Sequence, residues 1–259
     1  MLLLLSNYMN KKPLILITND DGITAPGIRA LVEAVKEFGE VVIIAPDSPQ
    51  SAMGHAITIN KPLRVDSTDL YGDIMSYHCS GTPVDCVKLA HHQVLDRLPD
   101  LVLSGINHGS NAAINVIYSG TMSAAVEAAV EGIPAIGFSL QDYSYHADFS
   151  LCVPFIKQIV SKVLSNKMPE GTLLNVNFPK GEIKGLKVCR QAKSKWKEDF
   201  DERTDPTGRK YFWLIGNFIN MDNGNDTDEA ALAENYASIV PTQFDLTAYK
   251  SLDTIKSWF

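Results

Sequence analysis

The segment that constrains this chain most is a run of four apolar residues at 14–17, followed closely by Asp20, Asp21 and Gly22. Four apolar residues in a row indicate a strand that is buried on both faces, as in a parallel sheet. The turn at the carboxyl end of such a strand is where open α/β sheets place their ligands. The sequence therefore predicts an α/β fold with a charged turn after its first strand.

The acidic pair predicts a site for a hard cation. Neighbouring side chains in an extended strand point to opposite faces, so Asp20 and Asp21 can share one target only if the backbone turns between them. Gly22 permits such a turn. Adjacent ionised carboxylates repel each other unless a cation lies between them. The alternative is that one of the two aspartates caps the helix that begins near Pro26.

The residues after this turn predict a parallel sheet flanked by helices. Residues 26–39 begin with proline, carry apolar residues at helical spacing and end with glycine, as in an amphipathic helix packed on a sheet. Residues 41–45 form a second buried strand, which the helical crossover makes parallel to the first. Further strands are predicted at 101–104, 133–139 and 173–178, and further helices from Thr82 to about residue 94, at 118–132 and at 149–164.

Two regions differ from this pattern. Residues 56–79 alternate apolar and polar side chains, which predicts short antiparallel strands beside the main sheet. After Pro179, strand-like segments at 186–190 and 211–215 flank residues 193–203, whose mixed charges predict a mobile loop. We therefore expect a single domain over residues 1–259, with an α/β core at about 12–180 and a smaller β-rich extension at about 181–259.

Composition excludes several classes of partner. The 259 residues are 45% hydrophobic, which is enough for a packed core, and the net charge of −7 argues against non-specific attraction to nucleic acid or to anionic membranes. Four cysteines without CxxC spacing indicate reduced, buried thiols, which favours the cytoplasm. The apolar run in residues 1–6 is shorter than a signal-peptide core. Because Met9 directly precedes the polar residues before the first strand, residues 1–8 are predicted to be either a dispensable extension or an artefact of start-codon choice.

Two more strand ends and one helix start carry polar residues. The long loop at 46–55 contains Ser51, and Asn107 follows the predicted strand at 101–104. Together with the acidic pair, these residues offer the oxygen donors that Mg²⁺ or Mn²⁺ prefers. The hydroxyl-rich residues at 118–123 begin a helix whose free backbone N–H groups suit a phosphate, although ordinary helix capping explains them equally well.

Four ordered motifs, at residues 17–28, 45–54, 104–111 and 118–125, make the chain similar to the survival protein SurE family of metal-dependent nucleotidases. Thr227 and Asp228 extend the similarity, which runs from about residue 12 to about residue 247. The resemblance implies a mostly parallel, Rossmann-like sheet and a 5′-nucleotidase that hydrolyses nucleoside monophosphates to nucleoside and phosphate. It also implies one divalent ion, Mg²⁺ or Mn²⁺, per subunit and a homodimer or homotetramer joined by an exchanged C-terminal arm.

The resemblance assigns roles to individual residues. The family's metal ligands match Asp20, Asp21, Ser51 and Asn107. Of these, Asp20, Asp21 and Asn107 are expected to be catalytic, through a metal-activated water and without a phospho-enzyme. The substrate's phosphate is expected to lie against Asn111, Ser119, Gly120 and Thr121. One departure is Asn235, which stands where the family usually has glycine.

Other enzyme classes fit less well. Phospho-receiver domains also have an acidic pair after the first strand, but they are much shorter and need an aspartate at the third strand end, where this chain has residues 104–107. Haloacid-dehalogenase phosphatases need Asp-x-Asp, whereas these two aspartates are adjacent. The six histidines lack the spacing of a zinc site, and only His108, next to Asn107, is of interest for the site. A non-catalytic nucleotide-binding module remains the alternative from another class.

Overall fold

A computed structural model of the chain describes residues 12–144 and 146–259. The predicted extension at residues 1–8 lies outside the described residues. The strands are β1 (Leu14–Thr18), β2 (Glu40–Pro46), β3 (Val65–Thr68), β4 (Met75–Cys79), β5 (Leu101–His108), β6 (Ala135–Leu140), β7 (Thr172–Phe178), β8 (Leu186–Val188), β9 (Ser194–Thr204), β10 (Lys210–Asn220) and β11 (Ala237–Gln243). The α-helices are α1 (Pro26–Val35), α2 (Pro83–Leu89), α3 (Gly120–Val130), α4 (Val153–Ser165), α5 (Asp228–Ala233) and α6 (Leu252–Lys256).

Nine strands form one sheet in the order β3-β4-β2-β1-β5-β6-β7-β11-β8. The six strands from β4 to β7 in this order are parallel neighbours, whereas β3 is antiparallel to β4 and β11 is antiparallel to β7. The mostly parallel sheet predicted from the sequence is therefore confirmed. Strand β4 belongs to this sheet, so the antiparallel pairing predicted for residues 56–79 is limited to β3 and β4.

The central strand β1 shows why the apolar run is buried on both sides. Ile15 and Ile17 pack on one face of the sheet with apolar residues of α1 and α4. Leu14 and Leu16 pack on the other face with apolar residues of α2 and α3. Each such side chain contributes about 1.5–3 kcal/mol when it is fully buried. The two helical layers thus fix the strand, and with it the position of the turn that follows.

The prediction of a mobile loop at residues 193–203 is wrong, because these residues form most of β9. Strand β9 pairs antiparallel with β10 along all 11 residues of each strand. Trp196 lies opposite Phe218, and the two rings make an edge-on contact with centroids 5.9 Å apart. This hairpin forms a separate two-stranded sheet with many side chains exposed on both faces. Charged residues therefore occur on both faces of β9, and the sequence lacks the alternation of apolar and polar residues that identifies a strand packed on a core.

Three further features concern the extension, the cysteines and the helices. Strands β8 and β11, which lie after residue 180, join the main sheet, and the division into a core and an extension stays a prediction. All four cysteines lie within the described residues and are unpaired and buried. Among the described helices, none has both the length and the apolar character needed to cross a membrane.

Asn235 occupies a backbone conformation that normally favours glycine. It lies two residues beyond the end of α5, is exposed, and has a φ of 64°. Asparagine tolerates this left-handed conformation better than other residues that have a Cβ atom. We expect Asn235→Ala to lower the free energy of unfolding by about 1 kcal/mol, and Asn235→Gly to leave it nearly unchanged. Urea denaturation of both variants checks this, and equal stability of the alanine variant would contradict it.

Candidate active site

The acidic turn begins where β1 ends. Gly22 has a φ of 95°, in the left-handed region, and the Asn19 side-chain amide donates a hydrogen bond of 2.9 Å to the Gly22 carbonyl oxygen. Helix α1 has Ala25 as its N-cap residue and makes no side-chain capping hydrogen bond. The alternative that an aspartate caps this helix is therefore wrong, and both carboxylates are available for another role.

Asp20 is buried against the start of α3. Asp20 is only 4% exposed. The Thr121 hydroxyl donates a hydrogen bond of 2.5 Å to Oδ1 of Asp20. A Cβ atom on Gly120 would lie 2.8 Å from the Asp20 Cβ atom and 2.9 Å from Oδ2, so glycine is what allows this close approach. Burial raises the pKa of Asp20 to about 6, with a further increase from Asp21, although the Thr121 hydrogen bond opposes the shift.

Asp21 is half-buried beside β5. The backbone N–H of His108 donates a hydrogen bond of 3.3 Å to Oδ2 of Asp21. Burial raises the pKa of Asp21, and the His108 N–H opposes that shift. Strands β1 and β5 are parallel neighbours, so the last residues of β5 are placed next to the turn that follows β1.

The loop that contains Ser51 is hydrogen-bonded to the same turn. The Gln50 N–H donates to the Asp20 carbonyl oxygen over 2.7 Å, and the Ile23 N–H donates to the Pro46 carbonyl oxygen over 2.9 Å. Strands β1 and β2 are parallel neighbours, which brings their carboxyl ends together. These hydrogen bonds hold the loop so that Ser51, although exposed, lies at the mouth of the site.

Asn107 lies near the carboxyl end of β5, with its amide group oriented by the following residues. Its side-chain nitrogen donates to the carbonyl oxygens of His108 at 3.1 Å and Gly109 at 2.9 Å. Because both amide hydrogens point toward these carbonyls, the side-chain oxygen is the atom that can accept or coordinate.

A cleft of about 180 Å³ brings these segments together. Its walls include five of the predicted site residues, namely Asp20, Ser51, Asn107, Asn111 and Ser119, together with Ala52, His108, Gly109, Ser110, Asn115, Tyr118 and Tyr143. Asp21 lies beside this cleft, bonded to the backbone of His108. Gly120 and Thr121 are buried and contact Asp20. His108, singled out from the sequence, does line the site.

The start of α3 combines a capping role with its place at the cleft. The Ser119 hydroxyl accepts a hydrogen bond of 3.0 Å from the Met122 N–H, so Ser119 is the N-cap of the helix. This is the ordinary capping function that the sequence left open. Its position on the cleft wall keeps the predicted phosphate role compatible with the geometry.

Sequence reasoning missed a buried polar network behind the cleft. Asn111 donates from its backbone N–H to Asn177 Oδ1 over 2.8 Å and from its side chain to Ser139 Oγ over 2.8 Å. Asn175 donates to the Asn111 carbonyl oxygen and accepts from Asn177, each over 2.8 Å. The alternation of Asn175 and Asn177 in an otherwise apolar strand was the signal that could have revealed it, since residues two apart share a face.

Asp228 is a second residue whose role the sequence did not reveal. It is fully buried, and its carboxylate accepts hydrogen bonds of 2.8 Å from the backbone N–H groups of Ala113 and Ala192. Ala113 has a φ of 54°, which is unusual for alanine. Asp228 thus connects the segment after Asn111 to the residues before β9. Its pairing with Thr227 in the family motif was visible, but nothing nearby in the sequence identified its partners.

The donor set of the site fits a hard divalent cation. The groups that donate hydrogen bonds to the Asp20 and Asp21 side chains are the Thr121 hydroxyl and backbone N–H groups, all of them uncharged. Two carboxylates, a serine hydroxyl and an amide oxygen are all oxygen donors of the type that Mg²⁺ and Mn²⁺ bind. A cation would also relieve the repulsion between the adjacent carboxylates.

A different group of possible ligands lies elsewhere. Within residues 12–144 and 146–259, ligand atoms of His91, His92 and Glu131 come within 4.8 Å of one another. These residues follow the carboxyl ends of α2 and α3, whereas the cleft lies at the amino end of α3. This group is therefore separate from the acidic turn and has no part in the site described above.

The fold and the cleft define an α/β protein with an oxygen-donor site at the carboxyl ends of its parallel strands. The family model described as survival protein SurE matches residues 15–198. The chain belongs to the SurE family.

Similar proteins cover almost the whole chain. A protein named 5′-nucleotidase SurE from Christiangramia forsetii is 62% identical, with 96% of this chain and 97% of that protein aligned. A protein of the same name from Cytophaga hutchinsonii is 61% identical, with 95% and 97% aligned. The crystal structure of the SurE protein from Aquifex aeolicus has a TM-score of 0.81 at 40% identity and covers 95% of this chain and 99% of that chain.

Proposed function

We infer that this protein is a 5′-nucleotidase, a phosphomonoesterase that hydrolyses nucleotides to nucleosides and phosphate. Relatives that are 58–62% identical over nearly the full chain carry that name. The observation that carries the inference for this chain is the cleft at the carboxyl ends of β1, β2 and β5, which gathers Asp20, Ser51 and Asn107 from three separate segments of the chain.

The SurE family is metal-dependent, and we propose that this protein binds a single Mg²⁺ or Mn²⁺ ion per subunit through Asp20, Asp21, Ser51 and Asn107. Two carboxylates balance the charge of a divalent ion, and the serine and asparagine add no charge. An anionic phosphate can therefore approach without strong repulsion. When bound, such an ion supplies Lewis-acid chemistry, because it polarises a phosphoryl oxygen and lowers the pKa of water.

The chain's own residues would hold and orient the phosphate. Asn111 and Ser119 lie on the cleft wall, where polar groups can face the phosphate oxygens. Gly120 and Thr121 are buried against Asp20, so in this proposal they act by holding its carboxylate in place. One of the two aspartates would accept the proton of the attacking water.

We propose that the phosphoryl group is transferred directly to water, without a phospho-enzyme. Asp20 is packed between Gly120 and Thr121, which restricts the movement a nucleophile would need. After a single turnover in oxygen-18 water, the label should appear in the released phosphate alone. Label found in Asp20 or Asp21, or retention of configuration at phosphorus with a chiral phosphate ester, would show a covalent aspartyl-phosphate and overturn the direct route.

The function is tested by phosphate release from nucleoside 5′- and 3′-monophosphates with added Mn²⁺. We expect steady release that EDTA abolishes and excess Mn²⁺ restores, because the proposed ligands are all hard oxygen donors. A non-catalytic nucleotide-binding module would bind nucleotides and release no phosphate. Exclusive turnover of a sugar phosphate that lacks a base would also contradict the proposal.

We also propose a cytoplasmic homodimer or homotetramer joined through the β9–β10 hairpin. The hairpin exposes several large apolar side chains, among them Phe200, Phe212 and Trp213, with exposed fractions between 56% and 62%. Large exposed apolar surfaces of this kind mark interaction sites in soluble proteins. A strictly monomeric protein in light scattering at micromolar concentration would contradict this.

A further inference from the structure

A second, larger depression lies next to the cleft. It has a volume of about 730 Å³ and is formed between the hairpin and the 3₁₀ segment Ala113–Tyr118. We call it the hairpin groove. The hairpin contributes Trp196, Glu198, Leu214, Ile215 and Gly216, and the opposite wall consists of Ala52, Asn115 and Tyr118.

The hairpin groove is continuous with the cleft. Ala52, Asn115 and Tyr118 line both depressions. A nucleotide whose phosphate lies in the cleft must extend its sugar and base away from Asp20, and the cleft alone, at about 180 Å³, is small for a whole nucleotide. The shared wall gives the rest of the molecule a direct path into the groove.

The shared wall is held by three consecutive residues that are hydrogen-bonded to the C-terminal part of the chain. Ala113 donates to Asp228 over 2.8 Å, and Ile114 donates from its N–H to Ser194 Oγ over 3.0 Å. The Trp196 indole N–H donates to Asn115 Oδ1 over 2.9 Å. The last bond fixes the indole ring relative to the wall it faces. A binding surface that is already ordered loses less entropy when a ligand binds.

The chemistry of the hairpin groove favours a flat, uncharged ring. Its lining is largely apolar and includes the aromatic rings of Trp196 and Tyr118, which are 38% and 46% exposed. Among its lining residues the one charged side chain is the carboxylate of Glu198, which would repel a second phosphate group. Nucleobases stack on exposed aromatic rings with little dependence on their identity.

We propose that the hairpin groove binds the base of the nucleotide substrate, with Trp196 as the stacking surface. This inference rests on the proposed nucleotidase function and adds the surface and the residue that contact the base of the substrate. Trp196 acts on affinity for the base and takes no part in the reaction at phosphorus. The groove accepts different bases and discriminates against sugar phosphates that have none.

The test compares AMP with ribose 5-phosphate, which has the same phosphate and sugar but no base, using the Mn²⁺-loaded protein. Trp196→Ala is expected to raise KM for AMP by about tenfold, with kcat nearly unchanged and ribose 5-phosphate turnover unaffected. Trp196→Phe keeps a stacking ring and loses the bond to Asn115, so it should retain most of the affinity. Trp258→Ala, at the end of the chain, is the matched control and should behave as wild type.

Binding of adenosine, measured by calorimetry on the same proteins, separates this inference from the proposed function. If AMP is hydrolysed but its KM is the same in the Trp196→Ala variant, the groove assignment fails and the function stands. An equal rise in KM for AMP and ribose 5-phosphate would also overturn it, because Trp196 would then be structural. If no nucleotide is hydrolysed but adenosine binds and Trp196→Ala weakens that binding, the groove assignment stands and the function fails.

Discussion

Asp21→Asn is expected to lower kcat/KM for nucleoside monophosphates by at least about a hundredfold and to weaken Mn²⁺ binding. The substitution keeps the size of the side chain and leaves an oxygen that can accept the His108 N–H. It removes the negative charge that the proposed ion and the reaction both need. Steady-state phosphate release and calorimetric titration with Mn²⁺ measure the two effects.

The same variant should remain folded. Burial raises the pKa of Asp21 above its ordinary value, so the ionised carboxylate lowers the stability of the metal-free protein as pH rises through that pKa. A neutral asparagine avoids this loss, and the free energy of unfolding at neutral pH should equal or exceed that of the wild type. Asp66→Asn, an exposed aspartate on β3, is the matched control. Activity of Asp21→Asn within about tenfold of wild type would contradict a role in catalysis.

Gly120→Ala is expected to cause a loss of similar size, although it changes no ligand. The added methyl group would lie 2.8–2.9 Å from atoms of Asp20, closer than such contacts allow. Either the carboxylate or the start of α3 must move, and a displacement of about 1 Å in a catalytic group lowers rates by about a hundredfold. Phosphate release and Mn²⁺ affinity should fall together, since both depend on the position of Asp20.

A control glycine separates this effect from general strain. Gly181 lies in an exposed turn with a φ of 87°, and a Cβ atom added there would have no neighbouring atom within 4 Å. Gly181→Ala should lower stability through its backbone conformation and leave kcat/KM unchanged. If Gly120→Ala retains wild-type turnover and metal affinity, the contact with Asp20 does not control the site.

The fold could be predicted from the sequence wherever burial imposes a pattern. The apolar run at 14–17 and the proline that begins α1 identify their elements, because one or both faces meet a core. The glycine predicted to end this helix, Gly39, lies four residues beyond its last residue, Val35. The strand β9 could not be recognised in this way. Its side chains are largely exposed, so charged residues occupy both faces and its order comes from pairing with β10.

The candidate site could be predicted from the sequence only in part, for a different reason. Asp20 and Asp21 stand out because two adjacent acids end a buried strand, which is a local signal. Their partners Thr121 and His108 are 101 and 87 residues away, and no local pattern connects them. The family resemblance identified the regions that meet, but the hydrogen bonds within them depend on the packing of β1, β5 and α3.

The bonds from Asp228 have a consequence for the order in which the chain becomes functional during synthesis. All the proposed metal and phosphate residues lie before residue 122, so a ribosome has made them when less than half of the chain exists. The Ala113 N–H, in the wall shared by the cleft and the hairpin groove, can form its hydrogen bond only after Asp228 has been synthesised. Strand β7 can pair with β11 only later still. We therefore expect phosphate release in timed cell-free translation to begin only with nearly full-length chains, despite the early presence of every proposed ligand.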